Sequence, residues 1–138
     1  ELYKSRSETL NVKVTISEPE LLIKGNVTLL TQALVNLIDN AKQAHVGDEP
    51  ILIKVSKLDN MVHISVEDRG SGFTQGMNSV TIKKFMTTKA NGFGLGLSIV
   101  QAIAKSHGAN FSLSNRFGGG ACAVLSFAVP EVSMIDAQ

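Results

Sequence analysis

Four amide side chains recur at helical spacing in the first third of the chain. Gln32, Asn36 and Asn40 are four residues apart and Gln43 continues the line, so a helix would place all four on one face. A carboxamide oxygen is a neutral ligand suited to Mg²⁺ whose charge is met by phosphates, and the NH₂ group can donate to phosphate oxygens. A polar face turned to water is the alternative, although asparagine is a poor helix former and surface helices usually carry Glu, Lys and Arg.

Asp68, the second of two adjacent acidic residues, is followed by glycines at positions 70 and 72. The alternation of the preceding residues places Asp68 on the buried side of a strand end, where a carboxylate needs a partner. Gly70 and Gly72 let the backbone turn sharply and let a ligand approach closely. A carboxylate in this setting could accept a hydrogen bond from the amine of a flat base. An ordinary Asp-Gly turn is the alternative explanation.

Three alternating glycines, Gly92, Gly94 and Gly96, lead into an apolar helical pattern. Free backbone N–H groups at the positive end of a helix favour phosphate. The Gly-Lys-Ser/Thr ending of a P-loop is absent from the sequence. A dinucleotide-binding fingerprint fits poorly as well, because a loop and not a hydrophobic strand precedes these glycines.

The amides, Asp68 and the glycines must be positioned by helices and strands, and the hydrophobic periodicity of the sequence predicts where these lie. Val12, Val14 and Ile16 alternate as in a half-buried strand, and an apolar helical stripe runs from Val27 to about His45. A second helix is predicted from Leu95 to His107 and a final strand pair from about Phe111 to Val129, with Gly108 ending the helix.

The middle of the chain predicts a hairpin whose register can be checked. A two-residue turn at Asp59-Asn60 sets Ile53 against Val66 and brings the apolar residues of both strands to one face. The same register puts Asp68 on the buried face. With a strand, a helix, a hairpin, a loop, a helix and a hairpin in this order, we expect an α+β fold. It is a two-layer sandwich with helices on one face of a mixed, mostly antiparallel sheet.

Composition and charge exclude several classes of protein. The chain has 138 residues, 43% of them hydrophobic and 18% charged, which fits one folded domain and excludes a disordered chain. A net charge of +1 offers no electrostatic basis for nucleic-acid binding. Cys122 is the only cysteine, so an internal disulfide is excluded. The three histidines show no metal-ligand spacing and are expected to be structural. Because the chain begins at Glu1, we expect a piece of a longer protein.

Together the motifs resemble the ATP-binding catalytic domain of sensor histidine kinases, from the superfamily that includes gyrase, Hsp90 and mismatch-repair ATPases. The resemblance extends from about Asn11 to Pro130. The segments that carry it are Leu34–Ala41 (similar to the N box), Asp68–Gly72 (first glycine box), Lys84–Lys89 (phenylalanine box), Gly92–Leu97 (second glycine box) and Gly118–Gly120 with the strand that follows (last box).

This resemblance implies a role for each matched residue. Asp68 would accept a hydrogen bond from the exocyclic amine of adenine, and Asn40 would be the Mg²⁺ ligand. Asn36, the predicted catalytic residue, and Gln43 would lie near the phosphates and metal-bound water. The other nucleotide-binding residues would be Gly70, Gly72, Thr88, Lys89, Gly92, Gly94, Leu95 and Gly96.

Three departures from the family pattern qualify the expected chemistry. ATP-hydrolysing members carry glutamate where this chain has Asn36, and an amide cannot act as the base that activates water. The domain should therefore hold ATP without hydrolysing it. Gln43 stands where many histidine kinases have lysine, and the last box of the family usually has threonine near the position of Cys122.

The function implied is donation of the γ-phosphoryl group of Mg²⁺·ATP to a histidine on a separate dimerisation domain, which then passes it to a response regulator. Neither nucleic acid nor direct membrane contact is expected. The domain would be cytoplasmic, in a full-length protein that can be anchored in the inner membrane. An anti-sigma-type serine kinase and a non-catalytic nucleotide-binding docking module are the alternatives. We expect residues 1–10 to be the end of a linker, 11–130 the catalytic domain with a mobile lid at about 74–93, and 131–138 a tail.

Overall fold

The computed structural model describes residues 12–72 and 93–130, with residues 93–95 described by their backbone alone. These residues form five strands and two helices. The elements are, in chain order, β1 (Val12–Ile16), α1 (Val27–Ala44), β2 (Ile51–Leu58), β3 (Met61–Glu67), α2 (Phe93–Ser106), β4 (Asn110–Asn115) and β5 (Ala121–Ala128).

The strands form one mixed sheet in the order β1-β2-β3-β5-β4. β1 runs parallel to β2, and the other neighbouring strands are antiparallel. The hairpin register predicted from the sequence is confirmed, since Ile53 is paired with Val66. Its turn residues Asp59 and Asn60 both have positive φ, 54° and 61°, which these residue types tolerate better than most others.

Both helices contribute to a single core on one side of the sheet. α1 and α2 contact each other, α1 lies against β3, and α2 lies against β4. The core residues alternate along the strands and recur every three or four positions along the helices, as burial of one face requires. They include Ala33, Leu37, Ala41, Ile51, Val66, Val100, Ile103, Ala104, Leu125 and Phe127. The predicted two-layer α+β architecture is therefore confirmed.

A histidine joins the ends of the two helices. The side chain of Asn26 caps α1 by accepting from the Leu29 N–H at 3.0 Å. The Asn26 N–H donates to Nε2 of His107, just after α2, and Nδ1 of that ring donates to the Ile103 carbonyl at 2.8 Å. This is a structural role for His107, as predicted. Neither of the described helices is long and apolar enough to cross a membrane.

The predicted half-burial of β1 is wrong. Val14 and Ile16 are each 58% exposed and Val12 is 42% exposed. Through parallel pairing they share a face with Ile51 and its neighbours, which is the helical side of the sheet. However, β1 is at the edge of the described sheet, and the described helices lie against strands further in. Alternation in the sequence predicted the strand correctly but could not show that the two described helices pack against other strands.

Candidate functional site

Two of the four amides on α1 point toward α2. The Nδ2 atoms of Asn36 and Asn40 are buried and have no hydrogen-bond partner among the described residues. A Cβ atom built on Gly96 would lie 3.7 Å from Nδ2 of Asn40 and 3.8 Å from Cβ of Asn36. Gln32 and Gln43 are exposed, so the stripe is divided between solvent and the space beside α2. A buried donor without an acceptor lowers the stability of the fold. The two unpaired amides therefore indicate a site where a ligand could supply the missing acceptors.

The start of α2 supplies further donors to the same place. The helix begins at Phe93, two residues earlier than predicted, so that Gly94, Leu95 and Gly96 lie in its first turn. The first N–H groups of a helix lack intrahelical acceptors, and this end carries partial positive charge. The side-chain amides of α1 therefore lie beside the amino end of α2, and together they form a group of donors of the kind that binds anions.

Asp68 lies immediately after β3 and is only 6% exposed, which confirms its predicted burial. Its Oδ1 accepts from the N–H of Gly70 at 2.8 Å and from the N–H of Ala121 at 3.2 Å. Both bonds use the same oxygen, so within the described part of the chain Oδ2 is the atom available to a ligand. The carboxylate is held in one orientation by the backbone on either side of it.

Close backbone contacts at two glycines bring three segments together around Asp68. A Cβ atom on Gly70 would lie 2.4 Å from the carbonyl oxygen of Ala44, at the end of α1. A Cβ atom on Gly120 would lie 1.9 Å from the carbonyl oxygen of Asp68 itself. Gly72, the third glycine, is against Asn115 at the end of β4. The end of α1, the end of β3 and the turn between β4 and β5 therefore meet at the carboxylate.

Arg116, from the turn between β4 and β5, holds this junction from the outer face of the sheet. Its Nε atom is 3.1 Å from the Glu67 carboxylate, and its Nη1 atom donates to the Asp68 carbonyl at 3.1 Å. The Arg116 side chain is 10% exposed and that of Glu67 is 14% exposed. Such largely buried pairs are costly to break on one side, because the remaining charge is left without a partner.

Arg69 reaches from the segment after β3 to the turn between β4 and β5. Its Nε donates to the Glu49 carboxylate at 2.8 Å, and its Nη1 reaches the Gly118 carbonyl at 3.4 Å. The two arginines therefore connect the same two segments, since each side chain donates to a backbone carbonyl of the segment that carries the other arginine. Sequence reasoning missed both residues. Their positions next to the first and last glycine motifs were visible, but their partners are distant in the chain.

Cys122 lies on β5 opposite Glu67. Burial, and next the charge of Glu67, raise the pKa of its thiol to about 11. The side chain is therefore an uncharged thiol near neutral pH, and a thiol is only a weak hydrogen-bond donor. It would be a poor substitute for the threonine hydroxyl that the family resemblance implies near this position.

The remaining predicted site residues fall outside the described part of the chain. These are Thr88, Lys89 and Gly92, together with all but the last residue of the predicted lid. Within the described residues no group of three or more His, Cys, Asp and Glu side chains could hold a metal ion. Among the described residues, a metal ion at the phosphate end would therefore have to be held by amide oxygens and by the ligand itself.

Residues 25–131 match the family of histidine kinase-, DNA gyrase B- and HSP90-like ATPases. The chain belongs to this family. Among its relatives is the sensor protein BasS of Escherichia coli K12, 36% identical over 102 residues, which are 72% of this chain and 28% of BasS.

Two solved structures in the family have the same architecture. The catalytic domain of the histidine kinase ThkA has a TM-score of 0.76 and 25% identity, covering 94% of this chain and 88% of that one. The ATP-binding domain of PrrB from Mycobacterium tuberculosis has a TM-score of 0.69 and 29% identity, covering 93% and 88%. The predicted family, fold and histidine-kinase catalytic domain are therefore confirmed. The chain spans less than a third of the length of the curated sensor proteins it matches.

The junction at Asp68 predicts that two adjacent glycines respond differently to alanine. Gly119 and Gly120 both have positive φ, 115° and 102°, so Gly119→Ala should cost about 1–3 kcal/mol from backbone strain. Gly120→Ala should cost at least about 2 kcal/mol more, because its Cβ would collide with the Asp68 carbonyl. Urea unfolding of the nucleotide-free domain measures both changes. Equal losses would contradict the close contact.

Proposed function

We propose that this domain binds Mg²⁺·ATP and donates the γ-phosphoryl group to a histidine on a separate phosphoacceptor domain. The observation that carries the proposal is the pair of buried, unpartnered amides on Asn36 and Asn40, which face the amino end of α2. The family is one of ATPases, and the relative from M. tuberculosis is described as an ATP-binding domain.

At the base end of the site, Asp68 would recognise adenine. Its Oδ1 is occupied by two backbone donors, and Oδ2 would accept from the exocyclic amine of the base. Guanine presents a carbonyl oxygen at the corresponding position, which a carboxylate would repel. Gly70 and Gly120 let the neighbouring segments pack closely enough to hold the carboxylate in this orientation.

At the phosphate end, the residues fit a Mg²⁺·triphosphate group. The amide of Asn40 can present its oxygen to the metal, and that of Asn36 can donate to a phosphate oxygen or to metal-bound water. When bound, Mg²⁺ would neutralise part of the phosphate charge. The phosphates in turn would supply negative charge to the metal, since the described residues include no cluster of acidic side chains that could do so. Gly94, Leu95 and Gly96 would add backbone donors to the phosphates. Outside the described residues, we propose Thr88, Lys89 and Gly92 as further nucleotide contacts, with Gln43 close by on α1.

The amide of Asn36 favours phosphoryl transfer to another molecule over hydrolysis of the nucleotide. An amide does not take up a proton near neutral pH, so Asn36 can orient a water molecule but cannot activate it. The side chains at this site hold and align the phosphates, and these functions suffice for phosphoryl transfer to an acceptor brought from elsewhere. We propose that this acceptor is a histidine on a dimerisation domain, with a response regulator as the next acceptor. The domain would work in the cytoplasm.

Replacing Asp68 tests the base end of the site. Asp68→Asn should weaken ATP binding about 10- to 100-fold, because a hydrogen bond to a charged acceptor is lost. Asp59→Asn makes the same chemical change at the hairpin turn, at the far end of β3, and should leave affinity unchanged. Isothermal titration calorimetry measures both. Unchanged binding by Asp68→Asn would show that adenine is recognised elsewhere.

Replacing Asn40 tests the phosphate end. Asn40→Ala should weaken ATP binding by about tenfold or more in Mg²⁺, since a metal-binding group is lost, and much less in EDTA. Gln32→Ala, which removes an exposed amide from the same helix, should change neither value. Titrations with and without Mg²⁺ make the comparison. Equal losses in both conditions would argue against a role in metal binding.

Phosphotransfer tests the reaction itself. Mixed with labelled ATP and a histidine-bearing helical hairpin domain from a sensor kinase, the chain should label the hairpin only when Mg²⁺ is present. The label should be lost in acid, as phosphohistidine is acid-labile. Acid-stable label would instead favour a serine kinase. Binding without any transfer would favour a docking module, and rapid ATP hydrolysis by the chain alone would contradict the role given to Asn36.

A further inference from the structure

His45, the residue that follows α1, connects that helix to the turn containing Asp68. Its Nδ1 accepts from the backbone N–H of Arg69 at 3.0 Å, in a part-buried contact. Its Nε2 is hydrogen-bonded to the Glu49 carbonyl. A carbonyl can only accept, so Nε2 carries the proton and Nδ1 is the unprotonated acceptor. The two contacts define one neutral tautomer of the ring.

The Arg69 amide is the first backbone donor after Asp68. β3 ends at Glu67, and the Asp68 N–H donates to the Ala121 carbonyl, so the sheet pairing stops there. The next donor, on Arg69, is taken by His45, and the one after it, on Gly70, by the Asp68 carboxylate itself. His45 therefore fixes the middle peptide of the turn that orients the carboxylate.

The side chain of Arg69 strengthens the same connection. It donates to the Glu49 carboxylate, while the carbonyl of Glu49 is hydrogen-bonded to His45. The ring therefore contacts the backbone of both residues of an ion pair. In addition, Gly70 packs directly against the carbonyl of Ala44, the residue before His45. Sequence reasoning expected His45 to be structural and gave it no connection to the site.

We propose that His45 is a positioning residue for nucleotide recognition, which orients the Asp68 carboxylate through the Arg69 amide. The inference rests on the proposed function, because it takes Asp68 as the adenine contact. Asn40 is on the last turns of the helix that His45 terminates. The histidine therefore holds the base end of the site in a set position relative to the phosphate end. Small displacements of a positioned group have large effects on the chemistry it supports.

Two substitutions of similar chemistry separate positioning from general stability. In His45→Asn the amide oxygen occupies the place of Nδ1 and can still accept from Arg69. In His45→Gln the amide lies one atom further out, where Nε2 was, and the Arg69 amide has no acceptor. Loss of one neutral hydrogen bond predicts about fivefold weaker ATP binding for His45→Gln. His45→Asn should stay within about twofold of the wild type.

Selectivity gives a readout that a structural role would not change. The preference for ATP over GTP should fall in His45→Gln and be retained in His45→Asn, with calorimetry on both nucleotides as the measurement. If both variants match the wild type in affinity and selectivity while the wild type binds ATP, the inference is overturned and the proposed function stands. If the wild-type chain does not bind ATP, both are overturned.

A nucleotide-free measurement keeps the inference testable even if one variant folds poorly. In the ¹⁵N-labelled wild-type domain, the His45 ring should show a protonated Nε2 and an unprotonated Nδ1. The Arg69 amide should exchange with solvent slowly in the wild type and in His45→Asn. A proton on Nδ1, or fast exchange of the Arg69 amide in the wild type, would rule out this role for His45.

Discussion

The structure of this domain depends on one carboxylate that is buried where a strand ends. Asp68 is nearly inaccessible to water, and a charge in that environment must be compensated by hydrogen bonds. Two backbone N–H groups from different segments meet at one of its oxygens. They can do so only because Gly70 and Gly120 have no Cβ atoms to hold those segments apart. The glycines, the two arginines and His45 are all arranged around this single charge.

The phosphate end is positioned by the hydrophobic core. Ala33, Leu37 and Ala41 of α1 are buried in one cluster with Val100 and Ala104 of α2. Small side chains in this set let the helices approach closely, because close-packed interiors leave little space between elements. Asn36 and Asn40 lie on α1 as well, and this packing places them beside Gly96 in the first turn of α2. The backbone at the end of β3 orients Asp68, and the packing of α1 against α2 orients the two amides.

Much of the fold could be predicted because it depends on local periodicity. The register around Asp59 and Asn60 followed from matching two alternating patterns, and it correctly buried Asp68. The roles of Arg69, Arg116 and His45 could not be predicted in this way. Their partners lie 20 or more residues away in the chain, and hydrogen bonds of this kind leave no periodic signal. The exposure of β1 was missed for a related reason, since alternation reveals a strand but not what covers it.

The exposed side of β1 has a consequence for how the isolated domain behaves in solution. Val12, Val14 and Ile16 present an apolar row on a strand with only one neighbour in the described sheet. A free strand edge of this kind is a template for pairing with another chain, and proteins usually limit that hazard by keeping such strands short and charged. β1 has only five residues and includes Lys13. A substitution at Lys13 that removes its charge would therefore be expected to reduce the solubility of the domain without touching its binding site.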